Sequence, residues 1–118
     1  MYNHKMKLQP EPFEKMASGL KTIELRLWDE KRQKVNIGDT IEFTNLENDC
    51  KISVRVIKLH CFASFVELYS ALPLEKCGYT LEEAKTASYR DMETYYSPEE
   101  QKKHGVVGIE IELLEQES

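Results

Sequence analysis

The stretch "GLKTIELRL", Gly19 to Leu27, decides the fold and raises the question of function. Ile23, Leu25 and Leu27 alternate with Thr22, Glu24 and Arg26, the period-two pattern of a half-buried strand. Gly19 suits the left-handed residue that closes a preceding helix. Glu24 and Arg26 share one strand face, with their bases about 7 Å apart. They are either a surface ion pair, worth about 0–1 kcal/mol, or part of a pocket wall. In a pocket the arginine fork would grip a phosphate or carboxylate. Glu24 would hold that fork or accept a hydrogen bond from an exocyclic amine. Lys21 stands at the strand mouth on the apolar parity. There its stem snorkels to water, or it is desolvated into a usable general base. Trp28, directly after the strand, either stacks on a base or packs as core or lid.

Upstream, "PEPFEKMASG" reads as a short amphipathic helix, with Pro12 in the first turn and Phe13 and Met16 on one face. "MKLQ" before it reads as the start of a strand. Downstream, "WDEKRQKVNIGD" is polar and reads as a loop with Asn36 and Gly38 as turn formers. "TIEFTN" is a second alternating strand, and "KISVRVIKLHCF" a longer one. Parity changes near Ile57 and Leu59, which predicts two-sided burial or a bulge. Ser64 caps a helix through "FVELYSAL", which Pro73 ends. Thr80 with Glu83 forms a capping box, opening a helix expected to run to about Met92 or Thr94. Ser97, Pro98 and Glu100 repeat the device, and that helix stops at Gly105. "VVGIEIELL" is the last strand, and the tail "EQES" reads as frayed. Strands joined by short turns favour an antiparallel sheet, and the bent third long strand suits closure into a barrel.

The 118 residues form one domain, 1–118, with 41% hydrophobic and 31% charged residues. The composition is neither that of a disordered chain nor that of a membrane-embedded one. No apolar run reaches the roughly 18 residues of a bilayer span. The start lacks the apolar core of a secretory signal, so a cytoplasmic location is expected. Cys50, Cys61 and Cys77 form no CxxC pair, and no ligand spacing suggests a metal; no cofactor motif appears either. The net charge of −5 weakens any reading as a broad duplex-binding surface. Charge is uneven, however. Six Lys or Arg lie between Lys15 and Lys34 against three acids, so an anionic ligand belongs in the first half. Tyr95, Tyr96 and Ser97 precede a helix start that either meets an anion or caps itself. Tyr79 and Tyr89 read as packing residues.

Gly19, Lys21, Glu24 and Arg26 make the pattern G-x-K-x-x-E-x-R, followed by a "GD" turn at Gly38 and Asp39 leading into "TIEF". With the entry helix and the final strand, this resembles the ASCH family from about Lys7 to Leu113. The resemblance implies an α+β fold: a small, mostly antiparallel PUA-like β-barrel with helices covering one opening. It also implies a polar cleft walled by the Lys-Glu-Arg strand. RNA, or a modified nucleoside or nucleotide, is the implied partner. The ligand-binding residues expected are Lys21, Glu24 and Arg26 of that wall, with Trp28 joined to them by its position directly after the strand. Some small relatives are amidohydrolases that deacylate N4-acetylcytidine through a lysine, a threonine three residues later and a distant glutamate. Lys21 matches the lysine, but Glu24 stands in the threonine position, so the hydroxyl is missing. The distant glutamate falls near Cys77, beside Glu75. The second reading is therefore a small amidohydrolase or ribonuclease with Lys21 and Glu24 as catalytic pair. The third is a protein-interaction module using the acidic helical face around Glu82 and Glu83.

Overall fold

The computed structural model of the chain describes residues 2–115. Five strands appear in chain order: β1 (Asn3–Leu8), β2 (Ile23–Leu27), β3 (Thr40–Asn45), β4 (Lys51–Phe62) and β5 (Val106–Leu113). They hydrogen-bond in the order β1-β3-β4-β5-β2. Three pairings are antiparallel, and β1 runs parallel to β3. The ladder ends at β1 on one side and β2 on the other, so the curled mixed sheet is a half-barrel with an open seam. The register of β4 against β5 shifts between Val56 and Lys58, and Ile57 is pushed outward there. That bulge is the parity change seen in the sequence, and it sharpens the bend of the longest strand.

Helix α1 (Pro10–Ala17) buries Phe13 and Met16 in the half-barrel. It ends in a Schellman motif: Leu20 N–H donates to the Lys15 carbonyl at 2.9 Å and Gly19 N–H to the Met16 carbonyl at 3.1 Å. Gly19 has φ +83°, the left-handed conformation that this motif needs. The polar segment after β2 is not all loop. Asp29 accepts from Arg32 N–H and caps a single helical turn, α2 (Glu30–Gln33).

The block between β4 and β5 holds α3 (Phe65–Ala71), α4 (Leu81–Ala84) and α5 (Pro98–His104). Both predicted capping boxes form, at Thr80 with Glu83 and at Ser97 with Glu100. The long helix expected from Thr80 does not. It stops at Ala84, and a 3₁₀ run from Tyr89 to Thr94 follows. A third capping box, Ser88 with Asp91, starts that run, and its side-chain bonds compete with continuation of the helix opened at Thr80. The expectation of frayed ends for "EQES" lies outside the described residues beyond Glu115.

Two cores result. Residues paired across β2 and β5 share a face. Ile23, Leu25 and Leu27 lie under the helical block with Phe65, Leu68 and Val106. Glu24 and Arg26 pair with Ile109 and Val107, which belong to the core inside the half-barrel. The charged parity of β2 therefore faces the barrel interior, at its open seam. Gly108, opposite Leu25, has no room for a side chain: a Cβ there would sit 2.7 Å from Leu72 Cδ1.

Asp39 of the "GD" turn ties the other end of the sheet. Its carboxylate accepts from Tyr2 N–H at 3.2 Å, Asn36 N–H at 3.0 Å and His4 Nε2 at 2.8 Å. These bonds, the His4 one first, outweigh burial and hold its pKa down at about 2. A lowered carboxyl stabilises the fold fully above its ordinary value near 3.8 and loses that contribution as pH falls towards about 2. Asp39→Ala should lower the unfolding free energy by about 1.5–3 kcal/mol at neutral pH. Urea titrations repeated down to about pH 2 should show a shallower acid loss in the variant than in the parent.

Candidate functional site

Lys21 lies two residues ahead of β2, so the pleat does not dictate its direction. Its side chain turns onto the side of Glu24 and is 8% exposed. Nζ donates to Glu24 Oε1 at 3.1 Å and to the Cys77 carbonyl at 2.9 Å. Arg26, 13% exposed, donates from Nε to Glu24 Oε2 at 2.6 Å and from Nη2 to the Lys7 carbonyl at 2.7 Å. Glu24, 6% exposed, thus has one cation on each oxygen. Burial pushes its pKa up, but Lys21 and Arg26 together outweigh burial and hold it below the usual carboxylate range. For Arg26, burial opposes the charge and Glu24 more than restores it, so its pKa is raised.

The motif residues therefore form a buried triad with a net charge of +1. Arg26 reaches across the open seam to β1, where no strand ladder does. Lys21 reaches to the helical block, beside two further contacts of the same kind. Thr22 N–H donates to the Lys76 carbonyl at 2.9 Å, and Lys15 Nζ to the Gly78 carbonyl at 2.7 Å. Three successive carbonyls are thus held by the end of α1 and the mouth of β2. Gly78, with φ +110°, lets the chain pass directly over the lysine; a Cβ there would lie 3.5 Å from Lys21 Nζ.

Above the triad is a recess of about 420 Å³. Lys21, Glu24 and Arg26 form part of its wall, with Cys77 and Gly78 beside them. Lys7, Gln9 and Lys15 line it from β1 and α1. Tyr69, Tyr79, Tyr95 and Tyr96 line it from the helical block. Four cationic side chains, Lys7, Lys15, Lys21 and Arg26, stand against two acidic ones, Glu11 and Glu24. Tyr95 is 66% exposed at this lining, whereas Tyr96 is half-buried and stacked on Phe65 with ring centres 6.0 Å apart. Tyr69 and Tyr79 share a hydrogen bond at 2.7 Å, and Tyr79 donates to Asp91 at 2.8 Å.

Of the residues singled out in the sequence, Lys21, Glu24 and Arg26 come together. Trp28 does not join them: it is half-buried against the half-barrel core and is absent from the recess lining. Glu75 is exposed and also absent from it; the 74–79 segment meets Lys21 through the Cys77 carbonyl instead. The basic loop at Lys31, Arg32 and Lys34 lies outside the recess, while Lys7 and Lys15 lie in it. The tyrosine wall as a unit was missed: Tyr79 was read as packing, Tyr95 and Tyr96 only as neighbours of a helix start, and Tyr69 was not singled out. Their scatter between positions 69 and 96 carries no local signal. Burial pushes the Cys77 thiol up to about 11, which leaves it protonated and a poor nucleophile at neutral pH. Among the described residues, no group of three or more His, Cys, Asp or Glu is placed to hold a metal ion. No described helix is long and apolar enough to cross a membrane.

The ASCH domain model matches residues 6–115, and the chain belongs to the ASCH family, whose proposed general role is RNA binding. The chain is similar to the hypothetical protein PH0355, with 34% identity, a TM-score of 0.78 and coverage of 97% of this chain and 100% of that one. Protein PF0455 from Pyrococcus furiosus is 36% identical, with a TM-score of 0.70 and coverage of 97% and 99%. The S128A mutant of ZmASCH from Zymomonas mobilis shares the fold at 15% identity, with a TM-score of 0.67 over 93% of this chain and 67% of that one. No curated protein matches the chain.

Removing the charge of Glu24 would leave two buried cations without their shared partner. Glu24→Gln should cost about 3–5 kcal/mol of stability at neutral pH, measured by chemical denaturation. Because the Glu24 carboxyl is held low in the fold, its contribution is complete above its ordinary value near 4.5 and fades as pH falls below it. The variant should lack this part of the acid slope.

Proposed function

We propose that this protein binds single-stranded RNA, or a modified nucleoside, by taking a base and its attached oxygens into the recess beside Lys21 and Arg26. The supporting observation is a cation-rich recess on a chain of net charge −5, with an exposed aromatic ring at its lining. An ammonium has three N–H donors and a guanidinium five. Lys21 spends two on Glu24 and Cys77, and Arg26 spends one on Glu24 and one on Lys7. The remaining donors suit carbonyl or phosphate oxygens. Tyr95 offers a face on which a base stacks, an interaction tolerant of sequence.

The hydrolase reading fits the site less well. Lys21 acts as donor to two acceptors, so it is placed to polarise or bind an oxygen rather than to take a proton. Both Glu24 oxygens are engaged by cations, and the hydroxyl of the amidohydrolase pattern is replaced by Glu24 itself.

Titration of a short single-stranded RNA at about 50 and 200 mM salt tests the proposal. Binding should be present and only modestly weaker at the higher salt. Tyr95→Ala should lower affinity between about fivefold and about a hundredfold, as expected for one lost stacking contact of about 1–3 kcal/mol. Lys7→Gln should lower it less and flatten the salt dependence. No binding at either salt would sink the proposal. Release of cytidine from N4-acetylcytidine, lost in Lys21→Ala, would establish the hydrolase instead.

A further inference from the structure

The charged strand does not by itself supply a group that would read the edge of a base. Glu24 is the residue that the sequence offers for recognising an amine, but its two oxygens are buried and each is held by a cation. Each oxygen keeps a second lone pair, but the side chain is only 6% exposed and flanked by both cations, which leaves an incoming amine little access. A more accessible acceptor is to be sought on another wall.

Tyr69, Tyr79 and Asp91 are linked in a line. Tyr79 Oη is 2.8 Å from Asp91 Oδ2, and Tyr69 Oη is 2.7 Å from Tyr79 Oη. Both phenols keep their protons at neutral pH: burial pushes Tyr69 up to about 12, and burial with these hydrogen bonds pushes Tyr79 higher still. A phenol has one proton to give. A carboxylate only accepts, so Tyr79 gives its proton to Asp91; the opposite arrangement would set a phenol lone pair against a carboxylate at 2.8 Å. Tyr79 then has no proton left for Tyr69. Tyr69 must donate to Tyr79, and its oxygen keeps only lone pairs for anything else. The direction of the whole line follows from the carboxylate at its end.

Tyr69 lines the recess that Lys21 and Arg26 also line. We propose that Tyr69, oriented by Tyr79 and Asp91, acts as a fixed acceptor that selects a base bearing an exocyclic N–H over one bearing a carbonyl at the same position. The ligand is thus a base bearing an exocyclic amino group, with a neighbouring acceptor (a carbonyl oxygen or a ring nitrogen) towards the cations and its N–H towards Tyr69. This rests on the nucleobase-binding reading of the recess. Tyr69 is the specificity residue; Tyr79 and Asp91 are positioning residues that act through it.

Cytidine monophosphate and uridine monophosphate differ at this exocyclic position, and at the protonation of the neighbouring ring nitrogen. Adenosine and inosine monophosphates repeat the comparison on a purine. Calorimetric titration of the parent protein should favour the amino base of each pair about tenfold, the equivalent of one buried hydrogen bond made or refused. In Tyr79→Phe the Tyr69 proton is released and can turn towards the ligand. Affinity for the keto base should then rise and the ratio should fall to about one. A rise in one affinity is not what loss of folding would produce. Asp91→Ala, in an exposed position, should move the ratio in the same direction. Equal binding of both bases by the parent protein, or an unchanged ratio in both variants, would overturn the assignment and leave the binding proposal standing. If the parent binds none of the four nucleotides and no RNA, both proposals fall.

Discussion

The burial of Glu24 between Lys21 and Arg26 is the constraint on which the rest of the molecule depends. An isolated carboxylate in that position would cost several kcal/mol in lost hydration. The two cations make its charged state the favoured one, and each cation then reaches a different part of the backbone. Arg26 joins β2 to β1 through the Lys7 carbonyl, 2.7 Å away, at the seam where the sheet has no ladder. Lys21 joins the same strand to the helical block through Cys77. The half-barrel is therefore fastened at its opening by side chains, and the opening remains available as a recess.

That fastening also positions the aromatic wall. The carbonyls of Lys76, Cys77 and Gly78 are held by Thr22, Lys21 and Lys15 in turn. Tyr79 follows directly and is anchored at its far end by Asp91. A base entering the recess would meet a segment whose backbone is bonded to the charged floor. Groups that must present a fixed hydrogen-bond pattern gain from such a rigid mount, because less ordering remains to be done on binding. The lysines thus serve the fold with some N–H donors and leave others for a ligand.

Much of this was legible in the sequence because its causes are local. The alternation of β2, the left-handed Gly19, the bulge beside Ile57 and the capping boxes at Thr80 and Ser97 each depend on residues a few positions apart. The G-x-K-x-x-E-x-R pattern located the triad for the same reason. The inward direction of its charged parity was not legible, since it is set by pairing with β5, more than 80 positions away. The parallel placement of β1 beside β3 has the same long-range origin. The helix expected through Met92 failed on a local conflict: Ser88 and Asp91 offer the backbone a second start. Trp28 was drawn into the site by adjacency alone, and its packing on the half-barrel core shows that adjacency to a motif says little about direction. The tyrosine line was hidden because its members are separated by ten and twelve positions.

The balance of charge bears on what kind of recognition this recess can perform. At physiological salt, fields are screened over about 8 Å, so a few cations at one recess cannot steer a polyanion to a chain that is acidic overall. The acidic helical face next to the opening works against long phosphate tracks as well. What remains attractive at short range is a group small enough to enter: an oxygen for the Lys21 and Arg26 donors, a flat ring for the tyrosines. Such a site gains little from extra phosphates and much from the right base edge. On the proposed reading, discrimination comes from the hydrogen-bond polarity of the recess, in which donors from the charged floor and a lone-pair acceptor from Tyr69 admit one arrangement of acceptor and N–H and refuse its reverse.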